Sequence, residues 1–426
     1  MFSRSFNRIA PDGNWRALRH RNFRILYGGA ILTNIGTWAQ RIAQDWLVLE
    51  LTNNNGFYLG IVTALQFLPV MLLSMQGGVL ADKVNKKKAL IITNLGSAIS
   101  ALALGALVIT NHVTMNYVYL LAVALGIFSA VDAPIRSSFI VEVVGKPDLT
   151  NAMGLNSANF HFGRLIGPTV SGFLIAGFGT GPSFIINGVS FLIIMFSFMS
   201  VREDELHEQE IQETDGTLKE AFNYIKRRPD IQMILITIFF AANFGLNAQI
   251  FNALMATKEF HKGAASYGIL GTAIAVGTLT GALISARIDR TKRPMFVPLA
   301  AMNFSVWVLA LAIAPTYLVY ALLLPINGFS ALTTMISANT YIQANSDHAI
   351  RGRIMGIYMF IFMGGTPLGS PLIGYCAEHF GPRATIAGCA AITFAAALFA
   401  YTKYRGEAKV PVDVSVSAIL QTEQNK

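Results

Sequence analysis

Charged residues are scarce in this sequence: Asp, Glu, Lys and Arg make up 13% of its 426 residues, while 53% are hydrophobic. A soluble domain carries about 25% charged residues, so a water-soluble globular protein is excluded. Cysteine is scarcer still, because Cys376 and Cys389 are the only two. Their positions show no metal-ligand or redox spacing, and we expect no metal site.

Motifs of enzyme chemistry are also missing. The sequence has no glycine-rich loop followed by Lys and Ser or Thr, so ATP is not expected to drive this protein. No nucleophile with a matching base is recognisable, and we expect a protein that is not an enzyme. The formal net charge of +9 could indicate nucleic acid, but the basic residues lie in short clusters between apolar runs. We therefore expect no nucleic-acid partner.

Long apolar runs fill the chain instead. Between residues 25 and 402 there are twelve, each of about 20 residues, which is the length that crosses a hydrocarbon core of about 30 Å. We expect an all-α membrane protein with twelve transmembrane helices. If the N-terminus is inside, only Lys258, Lys262 and Arg383 of the basic residues lie in outside loops. The positive-inside rule thus predicts a multi-pass protein of the cell membrane with both termini cytoplasmic.

A polar break divides the runs into two groups of six. The predicted domains are a six-helix bundle at 1–200, a cytoplasmic loop at 201–230, a second bundle at 231–404 and a cytoplasmic tail at 405–426. In the loop, Leu218, Phe222 and Ile225 recur at helical spacing. This segment is either a helix on the inner membrane surface or a solvated linker.

The two halves repeat each other. A shift of about 202 positions places Gly163 and Gly167 of the fifth run on Gly365 and Gly369 of the eleventh. Because the matching glycines extend over whole helices, chance is a poor explanation. Transporters build two pseudo-symmetric bundles around a midplane site from such repeats.

The loop after the second run reads GGVLADKVNKKKAL and contains Gly78, Asp82, Lys86 and Lys87. A small glycine lets two helices approach closely, and the basic cluster anchors the inner face of the membrane. The aspartate can meet a helix N-terminus or an arginine. We predict that this loop takes part in conformational change, with a plain topology signal as the alternative.

The fifth run contains GRLIGPTVSG, with Gly163, Gly167, Pro168 and Gly172. Glycines four residues apart form a flat packing face, and proline lets a helix bend. A close-packed helix that can bend suits a gate or a seal. The alternative is a simple helix-packing face.

These stretches resemble a known family. The GGVLADKVNKKKAL loop resembles the signature loop of the major facilitator superfamily, apart from Asn85, where the family usually has glycine. The Gly-Pro stretch is similar to a motif of its exporter branches. WRALRHRNFRILYGG, TNIGTWAQRIAQDWLVLELT and VDAPIRSSFIVEVV resemble the group that includes enterobactin and macrolide efflux proteins. Ala122 stands where drug antiporters carry arginine, so the proton chemistry lies elsewhere or coupling differs.

The resemblance implies a function as well as a fold. It implies two six-helix bundles that export a bulky small organic compound by alternating access, through proton antiport. The compound could be a drug, a siderophore or a secondary metabolite. The implied partners are this small molecule and membrane lipid, the expected chain is a monomer, and no cofactor is needed beyond the proton motive force.

Ionisable residues inside the spans are the candidate coupling residues, because a charge at the centre of a span costs about 2.5–3.5 kcal/mol on insertion scales. Arg41 and Asp45 are four residues apart on the first helix, share a face and can pair. We predict that Asp45 carries the proton, with a static ion pair as the alternative. Arg164 and His161 share a face of the fifth span and could meet an anionic part of the substrate, although a packed histidine is the commoner arrangement.

Further polar residues complete the candidate site. Asp132 and Arg136, four apart at the inner end of the fourth span, are predicted to form a cytoplasmic gate pair, with ordinary surface pairing as the alternative. Stacking and adaptable hydrogen bonds suit a bulky ligand. The residues predicted to line the substrate cavity are Asn34, Trp38, Gln44, Asn156, Asn243 and Asn247.

Two other functions stay open at this point. A lysophospholipid or other lipid flippase would use the same fold and would depend on the lipid head group. A non-transporting membrane receptor or scaffold would tolerate the loss of Asp45 and Arg164.

Overall fold

The computed structural model describes residues 15–207, 218–285, 294–347 and 350–406, and all regular structure within these ranges is helical. Within them, the side chains of residues 74–83 and 218 are not described. We number the helices α1 Arg21–Leu51, α2 Gly56–Lys83, α3 Lys86–Ile109, α4 Met115–Phe178, α5 Gly181–Met199, α6 Leu218–Lys226, α7 Pro229–Phe240, α8 Ala248–Leu254, α9 Ala264–Ser285, α10 Phe296–Ala312, α11 Tyr317–Asn345, α12 Arg351–Phe380 and α13 Pro382–Tyr404. Short 3₁₀ turns (Arg16–Arg19, Glu203–Glu205) and π-helical turns (Ala241–Gly245, Met255–Glu259) complete the described elements.

The helices confirm the predicted all-α fold with twelve membrane crossings. Nine helical spans of the described chain are long and apolar enough to cross a bilayer, and one of these, Pro229–Glu259, combines α7, α8 and the two π-helical turns. Another, α4, has 64 residues and is interrupted at Gly145, whose φ of 70° is not helical, so it supplies two crossings. The polar α1 has 31 residues and is long enough to span. The 17-residue α10 is the shortest crossing.

The chain forms two compact units. The first consists of Met1–Ile211 and His261–Thr272, and the second of Gln212–Phe260 and Ala273–Lys426. Helix α9 therefore begins in the first unit and ends in the second. The sequence repeat does not predict this grouping, because it assigns the whole of α9 to the second half. The predicted domain boundaries otherwise stay a prediction.

Each unit has its own apolar core. In the first unit, Leu90, Phe139 and Phe198 belong to a buried cluster formed by α1, α3, α4 and α5. In the second, Ile234 and Tyr341 belong to a cluster that joins α6, α7, α11, α12 and α13. Buried helix faces supply the packing that stabilises a membrane protein, since lipid is as apolar as the side chains themselves.

The repeated glycines have the same structural role in each unit. A Cβ added to Gly163 would lie 2.8 Å from the backbone of Asn34 in α1. One added to Gly365, its repeat partner in α12, would lie 2.6 Å from the backbone of Ala242. Both distances are too short for any side chain. Glycine thus brings the fifth crossing against the first, and the eleventh against the seventh.

The Gly-Pro stretch of α4 is packed on two sides. A Cβ on Gly167 would lie 2.6 Å from the Cβ of Trp38 in α1, and one on Gly172 would lie 2.8 Å from the carbonyl oxygen of Ala264 in α9. Pro168 lies inside the helix between them. This geometry agrees with a close-packed seal, while its role as a gate stays a prediction.

The polar segment between the bundles contains α6, as one interpretation of its helical spacing predicted. Its buried residues are Ala221, Tyr224 and Ile225, which pack on the second unit, while Phe222 is exposed. Helical spacing alone cannot tell which apolar side chain faces protein. The preceding residues 208–217, which hold part of the predicted loop, lie outside the described residues.

We predict that Gly167→Ala destabilises the protein, because the new methyl group collides with Trp38. Overpacking of this kind costs about 1–3 kcal/mol. Gly154→Ala in the same helix is the matched control, since a Cβ there would have no neighbour within 4 Å. Thermal unfolding in detergent should show a lower Tm for Gly167→Ala and an unchanged or higher Tm for Gly154→Ala. Equal Tm values would contradict the packing described.

Candidate functional site

Asp45, the predicted proton carrier, lies buried in the first unit with 3% of its surface exposed. Its Oδ2 accepts a hydrogen bond from the hydroxyl of Tyr267, at 2.6 Å between the two oxygens. Tyr267 is only 1% exposed, and the ring of Trp46 stacks on it with centroids 6.3 Å apart. The carboxylate therefore lies beside a tyrosine hydroxyl in a place that water hardly reaches.

Arg41 does not form a close ion pair with Asp45, although the carboxylate still attracts its guanidinium electrostatically. Its Cζ lies 4.8 Å from the ring centroid of Trp38 and 5.1 Å from that of Phe67. None of the ion pairs within the described ranges includes Arg41. The spacing of four residues does place both on one helix, but aromatic rings attract the guanidinium and Tyr267 binds the carboxylate.

Arg164 also reaches Trp38, with its Cζ 5.3 Å from the ring centroid. The structure thus brings together two of the predicted coupling residues, Arg41 and Arg164, on one aromatic ring. His161, one turn before Arg164, packs edge-on against Phe160 at 5.7 Å between centroids. Its Nδ1 is buried and has no hydrogen-bond partner in the described chain.

A cavity of about 60 Å³ lies beside Arg41 within the first unit. Polar side chains of α1 line it, namely Thr37, Gln40, Arg41 and Gln44, and Asn187 of α5 joins them. Asn187 donates to the side-chain carbonyl of Gln40 at 2.6 Å. Gln44 is 1% exposed, and its Nε2 has no acceptor in the described part of the structure. The cavity thus offers hydrogen-bond donors and one positive charge.

Two other residues of the predicted cavity lie in different surroundings. Asn34 lies on the face of α1 that Gly163 approaches. Asn156 lines a second cavity of about 30 Å³, together with Arg136 and several apolar side chains. Trp38 and Gln44 are thus the members of the set that lie next to Arg41. The substrate-binding role of the others stays a prediction.

Asn243 and Asn247 belong to the second unit, where the seventh crossing is interrupted. The crossing passes from α7 into a π-helical turn and then restarts as α8. The amide of Asn247 donates to the carbonyl of Asn243 at 2.8 Å, and its own oxygen accepts from Ser370 at 3.0 Å. Asn243 donates to the carbonyl of Phe239 at 2.8 Å. These bonds satisfy backbone carbonyls at the irregular turn. A backbone carbonyl without a hydrogen bond is costly inside a membrane.

The predicted gate pair forms one bonded cluster inside the first unit. Arg136 donates to both oxygens of Asp132, at 2.7 and 2.9 Å. Thr93 and Asn94 of α3 donate to the same carboxylate at 3.0 and 2.8 Å. The guanidinium of Arg136 also lies 5.2 Å from the ring centroid of Phe198. The pair therefore joins α3 to α4, and its role as a cytoplasmic gate stays a prediction.

The predicted conformational loop is only partly visible. Gly78 and Asp82 fall in 74–83, whose side chains lie outside the described residues. Lys86 forms an ion pair with Glu142 of α4. Lys87 donates to the carbonyl of Val201 and to the carboxylate of Glu203, both at 3.0 Å. The described lysines thus connect the start of α3 to α4 and to the segment that follows α5.

Tyr267 is a residue of the candidate site that the sequence did not reveal. A tyrosine in an apolar run carries no charge, and no motif marks it. Tyr267 lies six residues before Ala273, where the second unit resumes, and the sequence does not indicate that this part of the helix packs in the first unit. Phe67 escaped notice for the same reason, since aromatic residues in spans are common.

Residues 12–417 match the protein family described as transmembrane secretion effectors. The chain belongs to this family. It is therefore a multi-pass membrane transporter of the major facilitator type, and not an enzyme.

The curated relatives of this chain have low sequence identity to it, but the similarity extends over most of both sequences. The staphyloferrin A transporter of Staphylococcus aureus is 25% identical over 360 residues, which is 84% of this chain and 90% of that protein. The enterobactin exporter EntS of Citrobacter koseri is 23% identical over 312 residues, or 73% of this chain and 74% of that protein.

Solved structures confirm the fold. A bacterial homologue of the human lysosomal transporter Spinster, inward-facing and unoccupied, matches with a TM-score of 0.70 at 15% identity, covering 90% of this chain and 96% of that one. A D-xylose-proton symporter matches with a TM-score of 0.68 at 14% identity, covering 88% and 96%. The predicted major facilitator fold is thus confirmed.

We predict that Arg136→Gln lowers stability, because Asp132 then keeps a charge without its cation. The side chains of the pair are 24% and 17% exposed, so we expect a loss of about 1–3 kcal/mol, less than for a fully buried pair. Arg202→Gln is the control, since the pair of Arg202 with Glu205 is largely exposed and contributes about 0–1 kcal/mol. Denaturation in detergent should separate the two variants. Indistinguishable stabilities would show that the cluster is not structural.

Proposed function

We propose that this transporter exports a siderophore-like small organic compound across the cytoplasmic membrane by alternating access, in exchange for protons. The kind of cargo is supported by the names of two relatives, the staphyloferrin A transporter and the enterobactin exporter. Proton coupling is supported by one observation above others: the buried carboxylate of Asp45 bonded to Tyr267. Both termini are proposed to be cytoplasmic, and the working unit is proposed to be a monomer.

Asp45 suits a proton carrier because of its surroundings. A buried carboxylate is costly as long as it is charged, and binding a proton removes that charge. It lies six residues from the end of α1 at Leu51, or about 9 Å along the helix axis. If the N-terminus is cytoplasmic, the proton enters from the outer side. One proton moving down about 100 mV supplies about 2.3 kcal/mol to transport.

Tyr267 offers a route from protonation to movement. It lies near the start of α9, in the segment His261–Thr272 that packs within the first unit. The same helix continues to Ser285, beyond the limit of that unit. A charged Asp45 accepts a strong hydrogen bond from the tyrosine hydroxyl, and a neutral Asp45 accepts a weaker one. Protonation of Asp45 therefore weakens its hydrogen bond to Tyr267 of α9, the helix that begins in the first unit and ends in the second.

We predict that Asp45→Asn abolishes proton-driven accumulation but leaves substrate exchange intact, because the amide cannot carry the proton. Vesicles with an acidic lumen would be tested for uphill uptake of enterobactin and of staphyloferrin A, and then for counterflow without a gradient. Glu50→Gln is the control, since Glu50 is an exposed carboxylate on the same helix that accepts from Trp46. Uphill uptake by Asp45→Asn at the wild-type rate would end the carrier assignment. Uptake of lipid in place of either compound would point to a flippase.

We predict that Tyr267→Phe keeps coupling but changes the pH profile of uphill uptake, because the charged carboxylate of Asp45 loses a hydrogen-bond donor worth about 1.5–3 kcal/mol. The phenyl ring preserves the stacking on Trp46. Initial rates between pH 5 and 9 would measure the change, and an unchanged profile would show that the hydroxyl does not act on the carrier.

A further inference from the structure

Two arginines of the first unit share one aromatic ring, and neither forms a close ion pair with an acidic residue of the described ranges. Arg41 and Arg164 have Cζ atoms 4.8 and 5.3 Å from the centroid of Trp38. The two guanidiniums can therefore lie no farther apart than about 10 Å. Within the described ranges, neither takes part in an ion pair.

This arrangement leaves the positive charge only partly compensated inside the membrane region, because Asp45 attracts Arg41 from a distance while Arg164 has the like charge of Arg41 as its charged neighbour. A ring face stabilises a guanidinium less than a bidentate carboxylate does, and two cations on one ring repel each other. Asp45, on the same helix as Arg41, is bonded to Tyr267. The acidic residue Asp132 of α4 is occupied by Arg136. The two arginines are thus ready to bind an anion that comes from outside the protein.

The cavity beside Arg41 fits the charged end of such an anion. Its volume of about 60 Å³ holds a few water molecules, since one needs about 10–15 Å³ on this measure. That space admits a carboxylate group but not a whole bulky compound. Among the described residues that line the cavity, Arg41 is the one with a charged side chain. The described lining contains no acidic residue that would repel an anion.

Gln44 supplies a second, independent sign of a ligand. Its side chain is 1% exposed, lines the cavity one turn from Arg41, and has an amide nitrogen without an acceptor among the described residues. A buried donor without a partner costs free energy unless something binds there. A carboxylate oxygen beside Arg41 would satisfy it.

We propose that Arg41, Arg164 and Gln44 form an anion subsite that binds the carboxylate groups of a polycarboxylate substrate, while Trp38 holds the two guanidiniums. This inference rests on the proposed function, because it names the chemical class of the exported compound. The cavity takes one carboxylate against Arg41 and Gln44. Arg164 binds a second, so a dicarboxylate binds better than a monocarboxylate.

The test uses the full chain in lipid nanodiscs and succinate as the probe, with the neutral succinamide as its matched control. Calorimetry should show binding of succinate and none of succinamide. Arg41→Gln or Arg164→Gln should weaken succinate binding by about tenfold to hundredfold, as expected for a lost charged hydrogen bond. Arg41→Lys and Arg164→Lys, which keep the charge, should bind more strongly than the glutamine variants. Arg202→Gln should bind like the wild type.

Three results would overturn the proposal: no succinate binding by the wild type at millimolar concentration, binding of succinamide as strong as that of succinate, or succinate binding by the glutamine variants as strong as that of the wild type. Each variant would first be shown to be folded by its Tm. Proton-driven uptake measured on the same preparations separates this inference from the proposed function. If proton-driven uptake is seen but succinate binding does not depend on the arginines, the anion subsite is rejected and the proposed function stands. If succinate binds as expected but proton-driven uptake is not seen, the coupling mechanism is rejected and the anion subsite stands.

Discussion

A charge inside a membrane must be compensated by the protein itself, and the first unit meets this constraint to different degrees. Asp132 and Arg136 are bonded to each other and to two polar side chains of α3. Asp45 is held by a tyrosine hydroxyl, and Arg41 and Arg164 lie over an aromatic ring. Full compensation suits a structural joint. Partial compensation leaves a group whose state changes when a proton or an anion arrives, which is what a transport cycle requires.

The packing of the crossings explains how such a change can be transmitted. Glycines bring α4 against α1 and against the first part of α9, so that Trp38, Gly167 and Gly172 lie along one continuous contact. Packed interfaces of this kind have discrete arrangements and do not deform gradually. Asp45 and Tyr267 lie in the same unit as this contact, so a change in their bond acts on closely packed helices. In the second unit, the π-helical turn stabilised by Asn247 offers a place where the seventh crossing can bend.

The fold was predictable from the sequence, whereas the partners of its charges were not. Apolar length, glycine repeats and the distribution of Lys and Arg predicted the twelve crossings and the two related halves. Helical spacing also predicted that Asp132 pairs with Arg136, and this pair forms. The same spacing did not predict the closest partners of Arg41 and Asp45. Their partners Trp38, Phe67 and Tyr267 are uncharged, and Tyr267 lies more than 200 positions away, so that only the folded structure brings it close.

The substrate-cavity residues show the same limit. An asparagine in a span indicates a buried polar group, but the sequence cannot say whether ligand or backbone will bind it. Asn243 and Asn247 bind backbone carbonyls at an interrupted helix, whereas Gln44 keeps a free donor in a cavity. The distinction depends on local backbone geometry, which the apolar pattern of the seventh crossing does not reveal.

Proton movement during substrate exit tests the central claim of antiport most directly. Proteoliposomes would contain a pH-sensitive dye and enterobactin or staphyloferrin A, with equal pH on both sides and the membrane potential clamped. Downhill exit of the compound should draw protons inward and acidify the lumen, and proteoliposomes with Asp45→Asn should release the compound without acidification. Exit by the wild-type protein with no change in luminal pH would contradict the account.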